Sequence, residues 1–228
     1  MTGATAPGPA GAPDGAVAVL RRLTRPRGRV RTTAPGEACQ LCGEPIPQPH
    51  QHLADVTRRQ LLCACRGCYL LFTAPGAGAR KLRAVGEQVR RPRDFAFSQA
   101  QWEDLSAPVD LLFFLRQSEV ADAAAPASAR QLVVCYPGPA GATESELDFG
   151  AWAEIAAANP ALAGVEPDIE AVLVRRHGPD RFSCLIVPID RCYELVGLVR
   201  KHWVGFHGGD EVWRRIEDYF AELERVAR

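Results

Sequence analysis

The sequence predicts an α+β protein. A small cysteine-rich β module comes first, then an antiparallel-sheet domain with C-terminal helices, all behind a disordered N-terminal tail. Three observations carry this expectation. Five of the eight cysteines fall between Cys39 and Cys68. Apolar, β-rich runs recur after residue 108. Two helical patterns with one apolar face each close the chain. Strands followed by helices favour an antiparallel sheet over alternating βαβ units.

Residues 1–34 are expected to be a tail. The opening MTGATAPGPAGAPDGAVA lacks the large apolar residues a core needs, and its composition predicts disorder. Six arginines follow: Arg21, Arg22, Arg25, Arg27, Arg29 and Arg31. They read first as a solvated tail, and otherwise as an anchor on nucleic acid or an acidic protein surface. No aromatic residue interleaves them, so base stacking is unsupported. The apolar stretch near the N-terminus precedes the charges, opposite to a secretory signal. No run approaches the ~20 apolar residues of a membrane span. The expected location is the cytoplasm, where clustered cysteines serve as ligands or redox groups rather than disulfides. Net charge is zero but segregated. Residues 1–93 carry 15 basic and 5 acidic groups, residues 94–228 carry 12 and 22. The two halves are therefore able to attract each other.

The module at 35–74 holds Cys39-Gln-Leu-Cys42-Gly43, then His50-Gln-His52, then Cys63-Ala-Cys65-Arg-Gly-Cys68. Two C-x-x-C pairs separated by 22 residues have the spacing of a tetrahedral thiolate site in a zinc-ribbon or rubredoxin-like module. Between them, Gln51–Val56 and Arg59–Cys65 are expected to be strands joined by a turn at Thr57-Arg58. Paired residue numbers then sum to 115, which sets His52 opposite Cys63 and His50 opposite Cys65. A four-residue turn preserves that parity, whereas three or five residues break it. Alternation along the strands puts all four side chains on one face.

Residues 75–108 are expected to be a connector rich in glycine, arginine and lysine, with a short helix around Trp102 capped by Ser98. The α+β domain spans 109–228. Val109–Leu115 and Gln131–Tyr136 read as strands, followed by a break at Pro137-Gly-Pro-Ala-Gly-Ala. Asp148 is expected to cap a helix that stops at Asn159-Pro160. Ile169–Arg176 and Arg181–Pro188 form a hairpin around His177-Gly-Pro-Asp180. Asp190 and Asp210 read as caps of the last two helices. The first buries Cys192, Leu195, Val196, Val199 and Trp203. The second buries Val212, Trp213, Ile216, Tyr219, Phe220 and Leu223. Between them, His202, Trp203, Phe206 and His207 make an aromatic corner, read as helix packing or as a partner-docking surface.

The metal ligands expected from this pattern are Cys39, Cys42, Cys65 and Cys68. Gly43 tolerates the backbone turn that aims amide hydrogens at sulfur. Cys63, His50 and His52 are surplus. Each is expected either to ligate, replacing a thiolate or binding a second ion, or to hydrogen-bond around the site. Zn²⁺ is the expected ion, with iron or an iron–sulfur cluster as the alternative on the same thiolates. Cys135, Cys184 and Cys192 lie in apolar runs and read as buried thiols. A helix N-terminus is able to lower the pKa of Cys192, but no histidine is near it in sequence. Pro137–Ser145 matches neither phosphate-binding glycine pattern. No catalytic residue and no organic-cofactor site is assigned.

These residues resemble an uncharacterised bacterial family of unknown function. The likeness runs through Cys39–Pro45, His50–Leu53, Leu61–Phe72, Tyr136–Ser145, Val187–Tyr193 and Trp203–Trp213. The resemblance implies gene clusters of high-affinity nickel–iron hydrogenases, and thus an accessory role in hydrogenase assembly, maturation or electron transfer. The expected function is that of a metal-binding accessory protein that docks a hydrogenase subunit or maturation factor. The alternatives are a rubredoxin-like iron electron carrier and a nucleic-acid-binding zinc ribbon. The acidic C-terminal half opposes the last.

Overall fold

The computed structural model describes residues 37–228, apart from 75, 119–131 and 147–148. The expected tail and the expected cap Asp148 lie outside the described residues. Two antiparallel sheets organise the rest, as the sequence predicts. The smaller has strand order β2-β1-β3, from β1 (Gln51–Asp55), β2 (Gln60–Ala64) and β3 (Leu82–Ala84). A five-residue helix, α1 (Arg66–Leu70), follows β2 directly. Glu37–Arg228 forms one compact unit.

The larger sheet has order β6-β5-β4-β7-β8. Its strands are β4 (Leu111–Arg116), β5 (Leu132–Gly138), β6 (Gly141–Glu146), β7 (Glu170–Gly178) and β8 (Arg181–Pro188). The helices are α2 (Gln99–Asp104), α3 (Phe149–Ala158), α4 (Ile189–His202) and α5 (Gly209–Val226). Both faces of this sheet are covered. Phe113, Val133, Leu173 and Leu185 pack under Leu195 and Val199 of α4 and Ile216 and Phe220 of α5. Phe114, Val134, Val172 and Ile186 pack under Trp102 of α2 and Trp152 and Ile155 of α3. Burial on both sides explains why β4 reads as the unbroken run Leu-Leu-Phe-Phe-Leu rather than an alternating one.

Several expectations change. The break after Tyr136 is a hairpin: β5 continues to Gly138 and pairs with β6, Pro137 lying opposite Ala142. The ladder from β5 to β4 ends at Cys135, so the missing N–H of Pro137 breaks no bond to β4. β6 is a polar edge strand, which is why its sequence, Gly-Ala-Thr-Glu-Ser-Glu, carries no apolar signal. The connector also contributes structure, since β3 pairs with β1 and Arg90 exchanges two 2.8 Å backbone hydrogen bonds with Ile186.

The helix caps divide. Ser98 forms a full capping box with Gln101, as the sequence predicts. Asp190 and Asp210 are not caps. The cap residues are Pro188 and Gly208, and the two aspartates sit one residue inside their helices. Gly208 takes φ +87°, and a Cβ there would come within 2.9 Å of Val212 Cγ1. No side chain suits that position, so the helix starts on glycine.

The small sheet joins the large one through a separate apolar cluster. Ala54, Val85, Leu115 and Ile189 are buried together, with Leu61 and Ile169 against them. Ion pairs cross the same chain divide. Arg83 reaches Glu166 at 2.9 Å, Arg90 reaches Glu170 at 2.6 Å and Arg91 reaches Glu224 at 3.3 Å. Each joins the basic half of the chain to the acidic half. Among the described residues no helix is long and apolar enough to cross a membrane.

Phe113 is 1% exposed at the centre of the sheet. Phe113→Ala is expected to cost about 3–5 kcal/mol in equilibrium urea unfolding. A loss below about 1 kcal/mol would mean that the α4/α5 face is not closed over the sheet.

Candidate metal centre

The first pair of thiols stands on a tight backbone turn. The Cys39 N–H donates to Glu44 O and the Gly43 N–H donates to Cys39 O, each at 2.8 Å. Gly43 has φ +77°, a conformation that glycine adopts without steric cost. Gln40 fastens this turn to β2. Its N–H donates to Cys63 O at 2.9 Å, and its Oε1 accepts from the Cys63 N–H at 2.6 Å.

The second pair is delivered by the end of β2. The strand stops at Ala64, and Cys65 becomes the N-cap of α1 with extended backbone angles (φ −70°, ψ 160°). Its Sγ accepts from the Cys68 N–H at 3.4 Å. A helix starting on a cysteine thus turns Cys65 and Cys68 towards one point. Tyr69 sits beneath them and donates its hydroxyl hydrogen to Val85 O at 3.0 Å. The small core under the site comprises Cys39, Ile46, Leu53, Ala64 and Tyr69.

The ligand atoms of Cys39, Cys42, Cys65 and Cys68 all lie within 4.8 Å of one another, and Cys42 Sγ is 3.7 Å from Cys65 Sγ. A tetrahedron with metal–sulfur bonds of about 2.3 Å has edges of about 3.8 Å, so the spacing suits a four-thiolate ion. The thiols are electrostatically unequal. Burial works against the Cys39 thiolate, but backbone hydrogen bonds from Cys65, Cys42 and Leu41 outweigh it and bring its pKa down to about 6. At Cys42 the Glu44 backbone favours the thiolate, yet the neighbouring sulfurs of Cys39 and Cys65 leave the pKa raised. Cys68 is pushed up to about 12, mainly by the Cys42 sulfur. The Cys39 thiolate is easily formed, and those of Cys42 and Cys68 need a cation beside them.

The histidines form a separate group with Cys63. The ligand atoms of His50, His52 and Cys63 also lie within 4.8 Å of one another. The predicted register is present: His52 pairs with Cys63 and every β1–β2 pair sums to 115, across the four-residue turn Val56–Arg59. One part of the face argument fails. Strand alternation predicts Cys65 beside Cys63 and the histidines, but the strand ends at Ala64 and the sulfur of Cys65 joins the four-thiol cage. Burial, then the charges of Glu37 and Cys39, raise the Cys63 thiol. Asp190 is the residue sequence reasoning misplaced. Its Oδ2 lies 2.9 Å from His52 Nδ1, 138 positions away in the chain, where no local pattern reveals it. Cys135, Cys184 and Cys192 are buried in the domain core. Burial pushes Cys192 well above the ordinary thiol value, so its helix N-terminus does not activate it.

Fold and site together define an α+β protein carrying a four-cysteine cage of metal-binding geometry on a small β-ribbon. The chain belongs to the family described as a family of unknown function, DUF5947, whose model matches residues 38–227. No curated protein and no solved structure matches it.

The ribbon hairpin is held at its turn by Asp55, which accepts from the Arg58 N–H and guanidinium, each at 2.9 Å. Burial tends to raise the carboxyl pKa, but the Arg58 hydrogen bonds and charge outweigh it and leave it lowered. Its stabilisation is therefore complete above the unfolded value of about 3.9 and is lost as pH falls through the lower native value. Asp55→Asn is expected to cost about 1–3 kcal/mol at pH 7. The gap from the wild type should close in acid. A gap that stays constant from pH 7 to pH 2 would contradict the assignment.

Proposed function

We propose that the chain is a zinc-stabilised accessory protein that works by docking another protein. The observation that carries this reading is the convergence of four sulfurs from two C-x-x-C turns into one cage. Zn²⁺ has no geometric preference of its own and is held by four thiolates in closed structural sites. Here it would cross-link the Cys39–Gly43 turn to the start of α1. Small modules with little core of their own depend on such a cross-link.

Support for docking comes from the surface. Leu41 lies inside the first turn, and Leu70 and Leu71 follow Cys68; all three are exposed, Leu71 by 69%. At the α4–α5 corner Phe206 is 90% exposed. Apolar side chains beside a rigid metal turn suit a protein partner. The family resemblance suggests that partner: a subunit of a nickel–iron hydrogenase or one of its maturation factors in a bacterium. All eight cysteines are free thiols, which suits the reducing cytoplasm.

Metal analysis and a visible spectrum of the purified full chain test the zinc reading. Tightly held zinc and a colourless protein are expected, and Cys39→Ser should lose that zinc. Bound iron with strong visible absorption would replace the reading with a rubredoxin-like electron carrier on the same thiolates. The partner is tested separately by co-elution with purified hydrogenase subunits. Leu71→Asp is expected to weaken any such complex at least about tenfold. Absence of co-elution with every subunit and maturation factor would remove the hydrogenase role and leave the zinc site standing.

A further inference from the structure

We propose that His50, His52 and Cys63 form a second metal site, distinct from the four-cysteine cage, that binds a first-row transition-metal ion through three protein ligands and leaves a fourth position for an exchangeable ligand.

The two imidazoles are held in the form a metal requires. His52 Nδ1 lies 2.9 Å from Asp190 Oδ2. His50 Nδ1 lies 3.2 Å from Pro47 O and 3.3 Å from Glu37 Oε2. Both Nδ1 atoms face acceptors, so each ring donates its proton there and keeps the Nε2 lone pair free. A carboxylate or carbonyl behind the ring is the usual support of a metal-binding histidine. Glu37 is itself hydrogen-bonded by the Gln48 amide, and Asp190 Oδ1 accepts from the Arg191 N–H at 2.9 Å.

His50 supplies the independent sign of a missing ligand. Its side chain is only 5% exposed, yet Nε2 has no hydrogen-bond partner. A buried polar atom without a partner is destabilising, and a metal ion would remove that cost. The ring centroids of His50 and His52 are 4.8 Å apart, and strand pairing sets Cys63 opposite His52.

The donor set selects the ion. Two imidazoles and a thiolate suit Zn²⁺, Co²⁺, Ni²⁺ or copper, and not the hard ions Mg²⁺ or Ca²⁺. Three protein ligands leave a tetrahedral ion one open position, the arrangement of reactive or exchanging sites rather than closed ones. Asp190 lies in the first turn of α4, so an ion here would also tie the ribbon to the domain. The site stands independently of what fills the cage.

Titration of Co²⁺ into the zinc-loaded full chain tests the proposal. A second equivalent is expected to bind with visible d–d bands and a near-ultraviolet sulfur-to-cobalt band. Cys63→Ser and His50→Gln should each keep the cage zinc, which shows an intact ribbon, and abolish uptake of the second equivalent. Asp190→Asn should keep both ions but weaken the second by about 10–100-fold. Failure of the wild type to take a second equivalent would overturn the site, as would uptake by Cys63→Ser equal to the wild type's. Should Cys63→Ser not fold, the wild-type spectrum decides. A second cobalt bound without the sulfur band overturns the proposal.

Discussion

The register of β1 against β2 decides where every sulfur of the ribbon goes. With Leu53 opposite Leu62 and Gln51 opposite Ala64, one face of the hairpin looks into the small core beneath the cage. The other face carries Ala54 and Leu61 onto the domain, and His52 and Cys63 beside them. A slip of one residue would exchange the faces. It would turn His52 into the small core and Leu53 out of it, and take Asp190 out of reach. The four-residue turn, with Asp55 clasping Arg58, holds that register at one end. The exit of Cys65 into α1 holds it at the other.

Charge supplies the second constraint. Thiols this close disfavour one another's ionisation: Cys39 is brought down to about 6 by backbone hydrogen bonds, while Cys68 is pushed up to about 12 by its neighbours. A dication at the centre would favour the thiolate form of each. Hydrogen bonds to sulfur prepare the cage, since the backbone groups that favour the Cys39 thiolate belong to both turns. The domain in turn steadies the ribbon. Ile189 packs beneath Ala54, Asp190 holds His52, and Arg83 reaches back to Glu166. These contacts make the junction polar and apolar by turns, with the histidine group at its edge.

Much of this could be read from residue order, because it is local. Cysteine spacing located the cage, and the hairpin sum of 115 located the His52–Cys63 pair. Helical spacing named most of the α4 and α5 stripes. What escaped was non-local or carried a weak apolar signal. β6 is polar because it is an edge, and β3 is three residues long with an arginine in its middle. Asp190 resembled a helix cap, since an acidic residue before an apolar stripe usually is one. Its partner lies across the molecule. Alternation alone places Cys65 on the histidine face, but β2 ends at Ala64 and Cys65 caps α1 instead.

On the proposed reading, four sulfurs and no nitrogen would surround the ion in the cage. X-ray absorption at the zinc edge on the full chain loaded with one equivalent tests this directly. Four sulfur scatterers at about 2.3 Å are predicted. One or two nitrogen scatterers at about 2.0–2.1 Å would show that a histidine belongs to the cage, and would contradict the separation of the two groups.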